Sequence, residues 1–194
     1  MRMFAGILRP APEDMILDVG GYAPFWLETP IDVKGVDTVN PDHVEAPTGT
    51  KPPIHSMKGD GCDLPFADKS YAILFSNSVI EHVGDFEDQK KFAAEARRVG
   101  RKLWIQTPAF AFPIEPHCLA PFVHWFPWSI RKRLLRFTPV ALLGRTPWEE
   151  YCDSMRRTRI LKKREVEELF PDCEVLTERV FGVLPKCYIA CRRG

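Results

Sequence analysis

Apolar and polar positions alternate with different periods along this chain, and the changes of period mark its elements. MILDVG (15–20) is a short apolar run closed by glycine, which reads as a buried strand. DVKGVDTV (32–39) reads as a second strand with Asn-Pro-Asp turning after it, PPIHSMKGD as a weaker one, and SYAILFSN (70–77) as a strong one. The period then lengthens to that of a helix over DFEDQKKFAAEARRVG, where Phe92, Ala96 and Val99 share a face. Asp85 is its expected cap, acids occupy its first turn, Arg97 and Arg98 its last, and Gly100 stops it. RKLWIQTP (101–108) is a further strand ended by Pro108, and 162–171 a short helix with Val166, Leu169 and Phe170 inward. CEVLTERVFG and KCYIACRR close the chain as two strands, joined through GVLP as a hairpin. Strands alternating with helices predict an α/β fold with a mostly parallel, covered sheet and an antiparallel edge strand. The reading is one domain over 1–194. Between Thr107 and Arg159 lies an aromatic, proline-broken segment of about fifty residues, too long for a plain connection; 109–160 is therefore expected to form a cap-like insertion.

Composition narrows the class. A chain of 194 residues with 45% hydrophobic and 27% charged residues can bury a sizeable core. No apolar run reaches the length of a membrane span, and MRMFAGILRPAPED is broken by prolines and acids too early for a secretory signal. The six cysteines show neither CxxC nor a Cys/His pair at zinc spacing, so reduced thiols in a cytoplasmic protein are expected, without a disulfide framework or a metal.

Charge changes the picture more. The net charge is +1, yet Arg131–Arg164 carries eleven Lys/Arg against three acids. FVHWFPWSIRKRLLRF sets Trp, Phe and Leu beside Arg131, Lys132, Arg133 and Arg136. As a helix with an apolar and a cationic side it suits a membrane surface or a lipid-linked acceptor, and equally a phosphorylated or sugar-nucleotide substrate. Residues 122–137 are thus the candidate for peripheral membrane contact. A pI near 7.6 and the lack of a recognised motif argue against nucleic acid.

Candidate chemistry follows from the sheet, because open parallel sheets bind ligands beyond the carboxyl ends of their strands. The first strand ends in Asp18, Gly20 and Gly21, with Tyr22 beside them. The second is read as ending in Asp37, next to Thr38, with a carboxylate suited to the hydroxyls of a ribose. Asp60, Gly61 and Cys62 offer a carboxylate and backbone amides to an adenine edge, and Ser76 and Asn77 allow close approach. The phosphate-cradling GxGxxG of a nicotinamide dehydrogenase is missing. In the insertion, His117 and His124 are candidate general bases. His117 is the better placed, since the chain leads out to it from the strand at 101–108.

ILDVGG, VKGVDTVNPD, GDGCDLPFADKSYAILFSNSVIEHV and EARRVGRKLWIQTP together resemble the successive motifs of class I S-adenosylmethionine-dependent methyltransferases. The group that resembles ubiquinone and menaquinone biosynthesis methyltransferases is the nearest in pattern, over roughly 13–117. The resemblance implies a Rossmann-like, doubly wound, seven-stranded sheet with a helical insertion after strand five, and S-adenosylmethionine as cofactor. By it, Asp18 and Gly20 would line the methionine end, Asp37 would hold the ribose, and Asp60, Gly61 and Cys62 would meet the adenine. Ser76 and Asn77 would lie under the sulfonium, and His82, from the Glu81-His82 pair, at the edge of the substrate opening. One departure stands out: Tyr22-Ala23-Pro24-Phe25-Trp26 replaces the family's third glycine. Pro24 can open the following helix, with Phe25 and Trp26 packed on the sheet, leaving a modified but usable turn. The short N-terminal segment implies a reduced or absent lid, whose role passes to the insertion or to a partner subunit. The implied reaction is methyl transfer to an oxygen, ahead of carbon or nitrogen, of a small or lipid-linked acceptor. The alternative is a non-catalytic fold of this kind that binds an anionic partner or a membrane surface through its basic insertion.

Overall fold

The computed structural model describes residues 1–29, 31–42, 45–144 and 146–194. Its centre is a seven-stranded sheet of β1 (Met15–Val19), β2 (Gly35–Asn40), β3 (Ile54–Lys58), β4 (Tyr71–Asn77), β5 (Gly100–Pro108), β8 (Glu174–Val180) and β9 (Leu184–Arg192), in the order β3-β2-β1-β4-β5-β9-β8. The first five strands run parallel. The expected antiparallel element is the hairpin β8–β9 at one edge, and β9 is the strand that runs against both its neighbours. Strand order reverses between β1 and β4, which opens a crevice at their carboxyl ends.

Helices cover both faces. On one, α3 (Phe86–Val99) and α7 (Lys163–Leu169) bury Phe92, Ala96, Val99, Val166 and Leu169 against Leu17, Leu74 and Leu103. Asp85 caps α3 by accepting from the Glu87 and Asp88 amides. Gly100 passes straight into β5 with extended backbone, and its requirement is space, since a Cβ there would lie 2.7 Å from Leu74 Cβ. On the other face lies α1 (Arg2–Leu8), which the sequence reading did not foresee. Its Phe4 and Leu8, one turn apart, pack with Trp26, Phe75 and Trp104 in edge-to-face aromatic contacts.

The segment after β5 leaves the sheet. It opens with a two-stranded ribbon, β6 (Ile114–Glu115) and β7 (Ala120–Pro121), and continues through α4 (Trp128–Leu135), α5 (Pro139–Leu143) and α6 (Trp148–Arg157). These build a small core of their own around Cys118, Val123, Leu135, Tyr151 and Met155. The cap leaves and rejoins the sheet at one place. Ala109 bridges Leu161, Phe110 N–H donates to Leu161 O (3.0 Å), and Arg159 N–H donates to Glu81 O (2.7 Å). Among the described residues no helix is long and apolar enough to cross a membrane.

Candidate functional site

Two turns at the carboxyl ends of β1 and β4 set the site. After β1 the chain bends at Gly20, whose φ of 77° favours glycine and whose missing Cβ would otherwise lie 2.3 Å from Val79 Cγ2. Gly21 is equally confined, by the Asp18 carboxyl. Pro24 then lies in the first turn of α2 (Ala23–Leu27), as its fixed φ favours. Trp26 is fully buried, and its indole N–H donates to Asp18 Oδ2 at 2.6 Å. After β4, Ser78 takes a left-handed conformation (φ 57°), uncommon outside glycine, and a short 3₁₀ turn over Ile80–His82 follows. That turn sends Glu81 inward and leaves His82 at the surface.

Between the two turns lies a cavity of about 350 Å³, lined by Val19, Gly20, Val39, Pro41, Asp60, Gly61, Val79, His82, Val83 and Phe92. It falls within the range of roughly 300–1,000 Å³ usual for small-molecule pockets. A larger hollow, about 560 Å³ between residues 45–50 and the start of β3, is open and away from the crevice.

At the mouth of the cavity stands a pair of imidazoles. His82 Nε2 and His117 Nε2 are 3.1 Å apart with their rings nearly perpendicular. His117 Nδ1 meets Glu115 Oε1 at 2.7 Å, and His82 Nδ1 lies 3.4 Å from Thr158 Oγ1. The Thr158 hydroxyl donates to Ser154 O (2.9 Å), so toward His82 it can only accept, which places the Nδ1 proton on His82. Burial, reinforced by the neighbouring His117, holds His82 below the usual imidazole range. Burial acts the same way on His117, but the hydrogen bond and charge of Glu115 outweigh it and lift that group. The completely buried Glu81 accepts at Oε2 from the Thr107 hydroxyl (3.0 Å), while its Oε1 has no partner among the described residues. Burial pushes its carboxyl up to about 7. Beneath the cap, Arg131 turns inward toward Glu115, with Nε and Nη2 buried and without a partner among the described residues. The sequence reading had placed it on the cationic outer side.

Residues 17–103 match the family model described as "methyltransferase domain". Over that stretch the chain is similar to a methyltransferase domain. A search of the curated proteins returns no match. Among solved structures, a methyltransferase from Aquifex aeolicus is similar over 98% of this chain and 86% of its own, at 14% identity and a TM-score of 0.52. One from Methanosarcina mazei is similar over 98% and 95%, also at 14% identity and 0.52. The Haloferax volcanii complex of the Trm112 methyltransferase activator and a methyltransferase is similar over 90% and 68%, at 15% identity and 0.54. At these identities the likeness is one of fold.

Around this cavity the sequence-derived residues separate into groups. Gly20, Asp60, Gly61 and His82 line the cavity. Asp18 does not, because its carboxyl is turned to the opposite face of the sheet and held by Trp26. Asp37 does not close its strand either. β2 continues to Asn40, and the Asp37 carboxylate accepts from the Tyr71 hydroxyl at 2.6 Å, within the sheet's covered face. The strand end belongs instead to Asn40, whose amide reaches the carbonyls of Gly20 and Gly21, and to the cavity-lining Pro41. Thr38 is buried and donates to Ser56 Oγ, and together with Gly21 and Tyr22 it borders a separate, much smaller cleft. The Cys62 amide is taken by Asp60 Oδ1 (2.8 Å), and Ser76 donates to Val19 O inside the sheet. Asn77 lines a hollow beside α1. His124 is packed in the cap, its Nε2–H donated to Phe110 O.

His117 joins His82 across 35 residues of sequence. Glu115, Glu81, Thr107 and Thr158 are the functional neighbours that the sequence reading did not name as site residues. Glu81 was legible as the neighbour of His82 in the Glu-His pair, whereas Glu115 closes the two-residue strand β6 and meets His117 across the turn that follows it.

Proposed function

We propose that this domain transfers a methyl group from S-adenosylmethionine to an oxygen of a small or lipid-linked acceptor. The observation that carries this reading is the continuity of cavity and imidazole pair: His82 lines the first and contacts the second. The cavity residues fit the cofactor. Gly20 leaves its floor free of side chain, Asp60 supplies a carboxylate at its rim, and Val79, Val83 and Phe92 exclude water. Bound there, S-adenosylmethionine supplies a methyl group on a positively charged sulfur, which leaves with the bonding electrons as the acceptor oxygen attacks. For such an in-line displacement, positioning supplies much of the rate. His82 and His117 receive the acceptor's hydroxyl, whose proton passes to the unprotonated His82 Nε2 as the oxygen attacks, and the cap holds the rest of the molecule.

The cap's outer surface supports an acceptor with an anionic head and an apolar tail. Ser129, Lys132, Arg133, Arg136 and Phe137 line a groove of about 450 Å³. Beside it Phe137, Leu142 and Leu143 are 78%, 70% and 84% exposed, an arrangement suited to peripheral contact with an anionic membrane. Another of the cap's cations, Arg145, lies outside the described residues.

Calorimetric titration with S-adenosylmethionine and S-adenosylhomocysteine tests the reading. Micromolar binding is expected, weakened about tenfold or more by Asp60→Ala, the loss of a hydrogen bond from a charged group. Asp37→Asn, at a carboxylate committed to Tyr71, leaves it near the wild-type value. No heat and no thermal stabilisation with either ligand, in folded protein, would favour the non-catalytic alternative.

A further inference from the structure

We infer that Glu81, His82 and His117 form a binding site for a divalent first-row metal ion of the zinc class, at the junction of sheet and cap. Each of the three residues offers one ligand atom, and the three atoms lie within 4.8 Å of one another. The imidazole nitrogens, at 3.1 Å, already have the spacing of two ligands on one ion, since tetrahedral bonds of about 2.0–2.1 Å separate neighbouring ligand atoms by about 3.3 Å. A carboxylate oxygen within 4.8 Å of them would have to close that separation by at most about 1.5 Å to join them.

The outer contacts make this more than proximity. Each ligand has its other polar atom engaged: His117 Nδ1 with Glu115 Oε1, His82 Nδ1 with Thr158 Oγ1, and Glu81 Oε2 with the Thr107 hydroxyl. That is how metal-ligating residues are oriented, with carboxylates or hydroxyls fixing the tautomer and aiming the remaining lone pair. What remains is one free atom from each residue, and Glu81 Oε1 is completely buried without a partner. An unpaired buried carboxylate oxygen is costly. A proton shared between the two imidazoles would explain their contact and leave that oxygen unexplained; a cation accounts for both.

Two imidazoles and one carboxylate leave a coordination position open, the pattern of catalytic rather than structural sites. An acceptor hydroxyl would reach such a position by way of His82, which lines the cavity. A bound cation would lower the pKa of that hydroxyl, so that its proton passes to water as the oxygen attacks. This last role rests on the methyl-transfer reading; the metal site itself does not. The site also differs in kind from the cysteine-based zinc sites that the sequence excludes, because its ligands come from two distant segments.

The test uses the full chain, stripped with a chelator and titrated with zinc against a chromophoric competitor, and with cobalt followed by its visible absorption. One equivalent per chain is expected, with cobalt bands of a low-coordinate nitrogen–oxygen site and a raised melting temperature. His117→Ala and Glu81→Gln abolish stoichiometric binding, and Glu115→Gln weakens it about 10–100-fold. His55→Ala, an exposed imidazole on β3, leaves binding unchanged. Circular dichroism of each variant separates lost binding from lost fold. Binding that survives both His117→Ala and Glu81→Gln in folded protein, or no binding by the wild type, overturns the proposal. Calorimetry with S-adenosylmethionine on the same samples separates the two readings, since metal uptake without cofactor binding sinks only methyl transfer, and the reverse sinks only the metal site.

Discussion

Asp18 and Glu81 stand at the carboxyl ends of adjacent parallel strands, both buried, both with carboxyls that burial pushes up to about 7. By titration alone they are twins. Their partners separate them. Asp18 faces an indole N–H and belongs to the packing of α2, whereas Glu81 keeps an oxygen unpartnered beside two imidazoles. A displaced pKa therefore marks burial, and only the inventory of what each oxygen touches distinguishes a structural carboxyl from one held ready for a ligand.

The sharpest way to break the comparison is to remove the indole. Trp26→Ala empties the largest fully buried side chain of its face and leaves Asp18 without its donor. The expected cost is about 3–5 kcal/mol, a fall in melting temperature of the order of 10 °C or more. A fall of only a degree or two in a thermal melt would mean that α2 does not anchor this face.

A smaller effect is expected from Asp18→Asn, and it has a sign. The folded-state pKa, about 7, lies above the unfolded value near 3.8. The folded state thus holds its proton more tightly, and ionisation costs stability progressively as pH rises from about 4 to about 7. Asparagine keeps an acceptor for the indole and removes the titration. Denaturant unfolding at pH 5 and pH 8 should show the variant gaining on the wild type at the higher pH, by an amount of the order of a few kcal/mol at most. A gap that does not change with pH would show that Asp18 is not a buried titrating group.

The smallest expected effect on the fold lies farthest from either carboxyl. Phe137→Ser with Leu143→Ser changes exposed side chains and should shift stability by less than about 0.5 kcal/mol. The same pair should reduce co-sedimentation with vesicles containing anionic lipid by several-fold, provided those residues enter the interface. Unchanged sedimentation would leave the cap's apolar surface to a small acceptor.

The sheet was legible in the sequence because its signals are local. Period, glycine and proline mark the strands, and Asp85 and Gly100 bracket α3. What escaped was short or non-local. The ribbon β6–β7 has two residues per strand, too few to show a period, and α1 is a seven-residue helix whose stability comes from packing Phe4 and Leu8. In the site, Asp18 and Asp37 looked like ligand-facing carboxylates until their donors were seen. Those donors lie 8 and 34 residues away, and nothing along the chain announces them. The cavity is lined largely by Val79, Val83 and Phe92, which by pattern are indistinguishable from core.

The stitched neck of the cap, where Ala109 meets Leu161, carries one further consequence. Because the insertion departs and returns at neighbouring points, it is a cassette: it could be exchanged for another without re-threading the sheet or disturbing the cavity between β1 and β4. The proposed metal site, ligands and their hydrogen-bond partners together, is cut along that same boundary. Glu81, His82 and Thr107 stay with the sheet, while Glu115, His117 and Thr158 travel with the cassette. On the proposed reading, a domain assembled this way would hold its methyl donor with one half and complete its chemistry toward the acceptor only when the other half is seated.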